Sequence, residues 1–115
     1  MLSRNTSHAS TSQELHKVIN DYTCLTHLNL DANKLVNISF LKGNETILRL
    51  TLSHNKIQDI SPLESNVHIS TLYLNDNKIQ DLSPLENNNT LLELDVKWNP
   101  ITCFSHVKQI QTVYK

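Results

Sequence analysis

The sequence predicts an α/β solenoid. Short parallel β-strands stack on a concave face, brief helical or 3₁₀ turns line the convex side, and a helical cap closes each end. Three observations predict it. The pattern L-x-L-x-x-N-x-I, as in Leu72, Leu74, Asn77 and Ile79, recurs so that Asn33, Asn55, Asn77 and Asn99 stand 22 residues apart without slip, and a fixed period in this range marks a repeat array. Each L-x-L pair puts two apolar side chains on one face of an extended segment, a face that one copy cannot bury alone and that stacked copies bury together. Ser61-Pro62-Leu63 and Ser83-Pro84-Leu85 punctuate the return path with the chemistry of a helix start.

Residues 1–10 are polar and are expected to be disordered. Thr11 and Glu14 offer a capping box, and Leu15, Val18, Ile19 and Tyr22 follow at helical spacing. A short helix within 11–24 is therefore expected as the N-terminal cap, covering the core and the pairing edge of the first strand. Four repeats fill 25–104. The Asn that follows each strand faces backbone groups left unpaired where the chain turns. An amide side chain carries both donors and an acceptor, so Asn33, Asn55, Asn77 and Asn99 are given a structural role. On the return path Ser61 and Ser83 are read as N-caps with proline at the first helical position, and Ser39-Phe40-Leu41 occupies the same place without proline. Gly43-Asn44, Ser65-Asn66 and Asn87-Asn88-Asn89 turn the chain toward the next strand. Ser105 is read as the cap of a final helix carrying Val107, Ile110, Val113 and Tyr114 on one side, which makes 105–115 a C-terminal helical cap and the array complete at both ends.

The full unit, L-x-x-L-x-L-x-x-N-x-L/I-x-x-I/L-x-x-L, runs through Leu25, Leu28, Leu30, Asn33, Leu35, Ile38 and Leu41. It repeats from Ile47 to Leu63, from Ile69 to Leu85 and from Leu91 to Val107. It resembles the leucine-rich repeat family, and within it the 22-residue subclass. That resemblance implies a curved solenoid that binds other proteins without catalysing a reaction. In general character the chain also resembles the short leucine-rich repeat effectors that intracellular bacteria such as Legionella inject into host cells. This implies a partner in the host cytosol, either a host protein or a bacterial effector enzyme. A protein phosphatase regulatory subunit, from the same subclass, is the alternative likeness and implies a scaffold.

Composition narrows the function classes. A chain of 115 residues makes one domain. A formal net charge of −1 gives no global pull toward nucleic acid or an anionic membrane. No run of apolar residues is long enough to span a bilayer, and Met1 to Ser12 lacks the apolar stretch of a secretion signal. Cys24 and Cys103 fall about three strand spacings of ~4.8 Å apart, too far for a disulfide, which points to a reducing, cytosolic compartment. Delivery into a host cell would then use a non-classical secretion route. The N-x-S/T triplets at Asn5, Asn37, Asn44 and Asn88 are read as chance in an Asn-rich chain.

Function falls to positions that alternate with the leucines. Four concave columns are expected: His27, Arg49, Thr71 and Glu93; Asn29, Thr51, Tyr73 and Asp95; Asp31, Ser53, Asn75 and Lys97; Ala32, His54, Asp76 and Trp98. The repeats are near copies elsewhere, yet these columns change at every rung. Tyr73 and Trp98 have the character of interface anchors, although Trp98 has the alternative of packing on Pro100 and Phe104. Asp31, Asp76, Glu93 and Asp95 outnumber Arg49 and Lys97, so a partner patch of some basic character fits. A standard interface takes roughly 20–30 residues a side, so the adjoining row of Lys34, Lys56 and Lys78 is expected to contribute, or else to serve as a solvated edge. The unbound chain is expected to be a monomer.

No metal-ligand spacing, phosphate-cradling loop or nucleophile motif is present, so no cofactor, metal or catalytic residue is assigned. Cys103 and His106 are read as a small buried core residue beside a solvated helix start. A weak hydrolase using His54, with Asp76 and Ser53 nearby, is the alternative of a different class. It is disfavoured because an open sheet does not exclude water. The expected function is a non-catalytic module whose concave face covers a functional surface of a partner and so regulates or inhibits it.

Overall fold

The computed structural model describes residues 2–3 and 25–115. Among them, six short strands form one parallel sheet in chain order: β1 (Leu2–Ser3), β2 (His27–Asn29), β3 (Arg49–Thr51), β4 (Thr71–Tyr73), β5 (Glu93–Asp95) and β6 (Thr112–Tyr114). Leu28, Leu50, Leu72, Leu94 and Val113 lie side by side in the register. A slip of one residue would turn every one of these side chains to the solvent face, so burial locks the alignment. Leu2 and Ser3, within the stretch expected to be disordered, pair with Leu28 and Asn29 at the sheet edge. The rest of that tail, the cap expected over 11–24 and Cys24 lie outside the described residues.

The apolar residue that follows each strand, Leu30, Leu52, Leu74 and Val96, joins Leu35, Ile57 and Ile79 and the convex Ile38, Ile60 and Leu82 in one continuous core. Leu50, Leu52, Ile57, Leu74 and Ile79 have no exposed surface. Opposite the sheet run four 3₁₀ turns: η1 (Ser39–Leu41), η2 (Ser61–Ser65), η3 (Ser83–Leu85) and η4 (Ser105–Val107). Their starts differ from the expectation. Ile60 and Leu82, not Ser61 and Ser83, occupy the cap positions, and neither makes a side-chain cap bond. The acceptor comes from two residues before the serine. Asn37, Asp59 and Asp81 take the amide protons of Ser39, Ser61 and Ser83 at 2.7, 2.8 and 2.9 Å, each closing an Asx turn. The serines stand one position inside the turn, so their hydroxyls cannot play that part.

Asparagine closes the turns on both sides of the core. Asn55 Oδ1 accepts the N–H groups of Asn33 and Leu35, and its Nδ2 donates to the carbonyls of Leu30, Leu52 and Ser53. Asn77 and Asn99 repeat the arrangement one and two rungs on, accepting from Ile57 and Ile79. A second column, Asn44, Asn66 and Asn88, also has the 22-residue spacing. Asn44 and Asn88 accept the amide protons of Ile47 and Leu91 at 2.8 Å, while Asn66 donates to the Leu41 carbonyl of the rung before. These residues commit their amides to the turn that feeds the next strand.

The C-terminal helix expected over 105–115 is absent. The segment makes η4 and then β6, a fifth rung that pairs with β5 from Glu93–Thr112 to Asp95–Tyr114. Val113 stands nineteen residues after its register partner Leu94, where the rungs from β2 to β5 each use 22. Val107 keeps the period after Leu85, whereas Ile110 follows it by three residues and Leu91 follows Leu85 by six. The loss of three residues in the return segment created a false helical spacing through Val107, Ile110 and Val113. The shortened turn also lacks the second asparagine, and Gln109 replaces it: its Nε2 donates to the carbonyls of Leu85, Glu86 and Asn88. Gln109→Ala is expected to lower stability by about 1 kcal/mol, the net worth of such bonding at a partly exposed site, measured by urea denaturation.

Cys103 is exposed, not buried in the core. It continues the spacing of Asn37, Asp59 and Asp81 and so stands where those residues close the Asx turn. Its Sγ lies 3.0 Å from Ser105 Oγ. Hydrogen bonds from the Ser105 hydroxyl and then its amide hold the thiol below the usual cysteine range.

Candidate functional site

The parallel register brings the alternating strand residues into columns. His27, Arg49, Thr71 and Glu93 form one and Asn29, Thr51, Tyr73 and Asp95 the next. β6 extends both, with Thr112 and Tyr114. Thr112 and Tyr114 were not foreseen on this face. Their signal was present, since Thr-Val-Tyr is a run of strand-forming residues with the middle one apolar, but the helical spacing of its neighbours hid it. Beyond the strands the ladder continues through Ala32 N to Ser53 O, His54 N to Asn75 O and Asp76 N to Lys97 O at 2.9–3.0 Å, which aligns the two remaining columns.

The third column is partly internal. Ser53 is only 6% exposed; its amide donates to Asp31 Oδ1 at 2.8 Å and its hydroxyl to Asn75 Oδ1 at 2.5 Å. Ser53 is therefore lost to the outer surface, because its short side chain bridges the rungs on either side. The fourth column stands out from the sheet. Ala32, His54, Asp76 and Trp98 all have φ between 57° and 59°, the left-handed region. His54 Nδ1 and Asp76 Oδ2 meet at 2.7 Å. Trp98 is 69% exposed, so it is not packed onto Pro100 and Phe104.

Cations rest on the aromatic rings. The Arg49 guanidinium lies 5.8 Å from the Tyr73 ring centre, and Lys97 Nζ lies 5.4 Å from that of Trp98 and 5.8 Å from that of Tyr114, within the range of cation–π attraction. The charge of Glu93 acts on both tyrosines. Burial first, then a hydrogen bond to Glu93 and its charge, push the Tyr73 phenol up, with Arg49 opposing. For Tyr114 the Glu93 charge leads, followed by the hydrogen bond to Glu93, burial and the Asp95 charge, all in the same direction. Both phenols therefore stay protonated further into alkali than in the unfolded chain. Whatever they add to stability is complete below the ordinary tyrosine value and is lost as pH rises from there through the raised values of the folded chain. In Glu93→Gln both are expected to ionise earlier, with the larger change at Tyr114. Phenolate absorbance on a Tyr22→Phe background would check this, and an unchanged titration would contradict the pairing.

The acid–base arrangement considered for His54 does not form a nucleophile. His54 and Asp76 pair, but the Ser53 hydroxyl is buried and committed to Asn75. A surface hollow lined by Val36, Lys42, Pro62 and Glu64 lies beside η1 and η2, on the opposite side of the solenoid. Among the described residues no His, Cys, Asp or Glu cluster is grouped to hold a metal, and no helix is long and apolar enough to cross a membrane.

A parallel sheet of 22-residue rungs, closed by asparagine columns and 3₁₀ turns, is the leucine-rich repeat solenoid. Family models described as "Leucine Rich repeats (2 copies)" and "Leucine Rich repeat" match residues 46–87 and 87–102, so the chain carries leucine-rich repeats there and has the leucine-rich repeat fold, an architecture with an extended concave surface. Among solved structures, an internalin (inlF) from Listeria monocytogenes superposes with a TM-score of 0.73 at 24% identity, over 91% of this chain and 37% of that one. The chain thus spans little more than a third of that internalin. The Chaetomium Mex67:Mtr2 subunits superpose with a TM-score of 0.51 at 19% identity, over 97% of this chain and 78% of that one. At these identities the likeness is one of fold. No curated protein matches the chain.

Proposed function

We propose that this chain is a non-catalytic binding module whose concave face docks a partner protein and regulates it by covering a functional surface. The observation that carries this reading is the exposed aromatic set on otherwise regular rungs: Trp98 is 69% and Tyr114 43% exposed, with Tyr73 in the same column as Tyr114. Large amphipathic side chains left on a rigid surface are the usual anchors of protein interfaces. His27, Asn29, Asp31, Arg49, Thr51, His54, Asn75, Asp76, Glu93, Asp95 and Lys97 surround them as the polar remainder of the contact. Lys34, Lys56 and Lys78, all exposed, extend the area toward that of a standard interface.

In this reading the repeats belong to the 22-residue subclass, and the chain acts as a monomer. It is an effector of the Legionella type, delivered to the reducing cytosol of a host cell by a non-classical bacterial route, and its partner is a host protein or a bacterial effector enzyme. An exposed free thiol at Cys103 suits a reducing compartment. The acidic bias of the face disfavours nucleic acid and anionic membranes. The test is capture of partners by the immobilised chain from host-cell and bacterial lysates, identification by mass spectrometry, and affinity measurement with the purified partner. Tyr73→Ala and Trp98→Ala are each expected to weaken binding by about 2 kcal/mol or more, as truncated anchors do, with melts nearly unchanged. Full binding by both variants would place the contact elsewhere.

A further inference from the structure

The concave face is chemically uneven along the array. β2 and β3 present His27, Asn29, Arg49 and Thr51, while β4 to β6 present Tyr73, Glu93, Asp95 and Tyr114, with Lys97 and Trp98 following β5. Tyr73 and Tyr114 occupy one column with Asp95 between them, so two strand spacings, about 9.6 Å, separate the two tyrosine positions. Glu93 stands two residues before Asp95 on β5, in the adjoining column, and its charge pushes both phenols up. Asp95 Oδ1 accepts the Lys97 amide at 3.0 Å, leaving Oδ2 without a hydrogen-bond partner among the described residues.

These rings already attract cations. Arg49 lies against Tyr73, and Lys97 lies against Tyr114 and Trp98. Both are long side chains on an open surface, so a competing cation can move them aside. This half of the face holds three carboxylates, Asp76 (paired with His54), Glu93 and Asp95, against two cations, Arg49 and Lys97. An acidic segment would meet repulsion here, and a purely apolar one would leave the carboxylates stripped of water and unpaired.

We infer that this half of the face is a receptor for an arginine side chain on an extended segment of the partner protein, with the guanidinium against the tyrosine rings and paired to Asp95 and Glu93. Arginine fits better than lysine. Its planar head stacks on aromatic faces, and its fork of donors matches a carboxylate with two bonds, whereas an ammonium is a strongly hydrated point charge. The inference rests on the protein-binding reading and adds the chemistry of what is bound.

A random peptide-display library selected on the immobilised full chain tests it without knowledge of the partner. Arginine-bearing peptides are expected to be enriched. In titration calorimetry with a selected synthetic peptide, replacing its arginine by lysine should weaken binding about tenfold, and by glutamine further, as loss of bidentate pairing and stacking predicts. Glu93→Gln and Asp95→Asn, both isosteric, should each weaken it about tenfold through loss of a charge-assisted bond, with unchanged circular dichroism and melting. Peptides indifferent to loss of their arginine and to the Glu93→Gln, Asp95→Asn double variant, yet abolished by Tyr73→Ala, would overturn the arginine receptor and leave the binding face standing. Peptides indifferent to Tyr73→Ala and Trp98→Ala as well would overturn both. A selection that enriches nothing also overturns the arginine receptor, while lysate capture judges the binding face separately.

Discussion

Asn55→Ala is expected to lower the unfolding free energy by about 3 kcal/mol, from the loss of several buried hydrogen bonds at once. Asn55 is 8% exposed, and its amide serves five backbone groups on two rungs: the N–H of Asn33 and of Leu35, and the carbonyls of Leu30, Leu52 and Ser53. Alanine leaves these groups in a buried setting with no replacement partner on its own side chain. Removing one partner of a buried pair costs the desolvation of the group left behind, not the small net worth of the bond. Asn55→Asp is expected to be no better, because a carboxylate has no donor for the three carbonyls. Asn99→Ala is the comparison. It keeps the same bonding, to Ile79, Leu74, Val96 and Lys97, but is only partly buried, so water can reach some of the stranded groups and the loss should be smaller. Urea denaturation of the three variants checks the order, and an unchanged midpoint for Asn55→Ala would remove the structural role.

What was legible in the sequence follows from which interactions repeat. The leucine ladder, the first asparagine column and the alternation that builds the concave face are strictly periodic because stacked rungs share each wall, and any drift would misalign the sheet. The last rung was misread where that constraint relaxes. Val107 keeps the period, but the turn after it is three residues shorter, and Ile110 and Val113 then imitate a helix. Tyr114 was assigned to the wrong surface by the same error. The frequent burial of cysteine points Cys103 to the core, whereas its spacing from Asp59 and Asp81 puts it at an Asx turn. Alternation alone puts Ser53 on the exposed face, whereas in the folded chain its hydroxyl is drawn in toward Asn75. The second asparagine column was visible at 44, 66 and 88, but turn chemistry alone was a sufficient account of those residues, so its role in bonding between rungs went unread.

Trp98→Gly is expected to weaken partner binding by about 2 kcal/mol or more while raising the stability of the free chain by about 0.5–1 kcal/mol. The opposite signs come from one backbone feature. Trp98 has φ 58°, as Ala32, His54 and Asp76 do within a few degrees. A residue with a Cβ in the left-handed region costs about 1–2 kcal/mol, which glycine avoids at the expense of a more flexible unfolded chain. Asp and His tolerate this region better than most residues, but tryptophan has no local hydrogen bond to offset it. Its ring is 69% exposed and touches the ammonium of Lys97, too weak a contact at an open site to balance the strain. A side chain kept at such a position, against the preference of its own backbone, fits a functional surface better than a structural one. Ala32→Gly separates the two effects: it relieves the same strain and removes one methyl, so it should stabilise the chain and leave binding intact. Thermal melts and partner affinity measured on both variants decide the matter. A Trp98→Gly protein that melts lower than the parent would mean that the indole holds the fold, and the anchor role would then pass to Tyr73 and Tyr114.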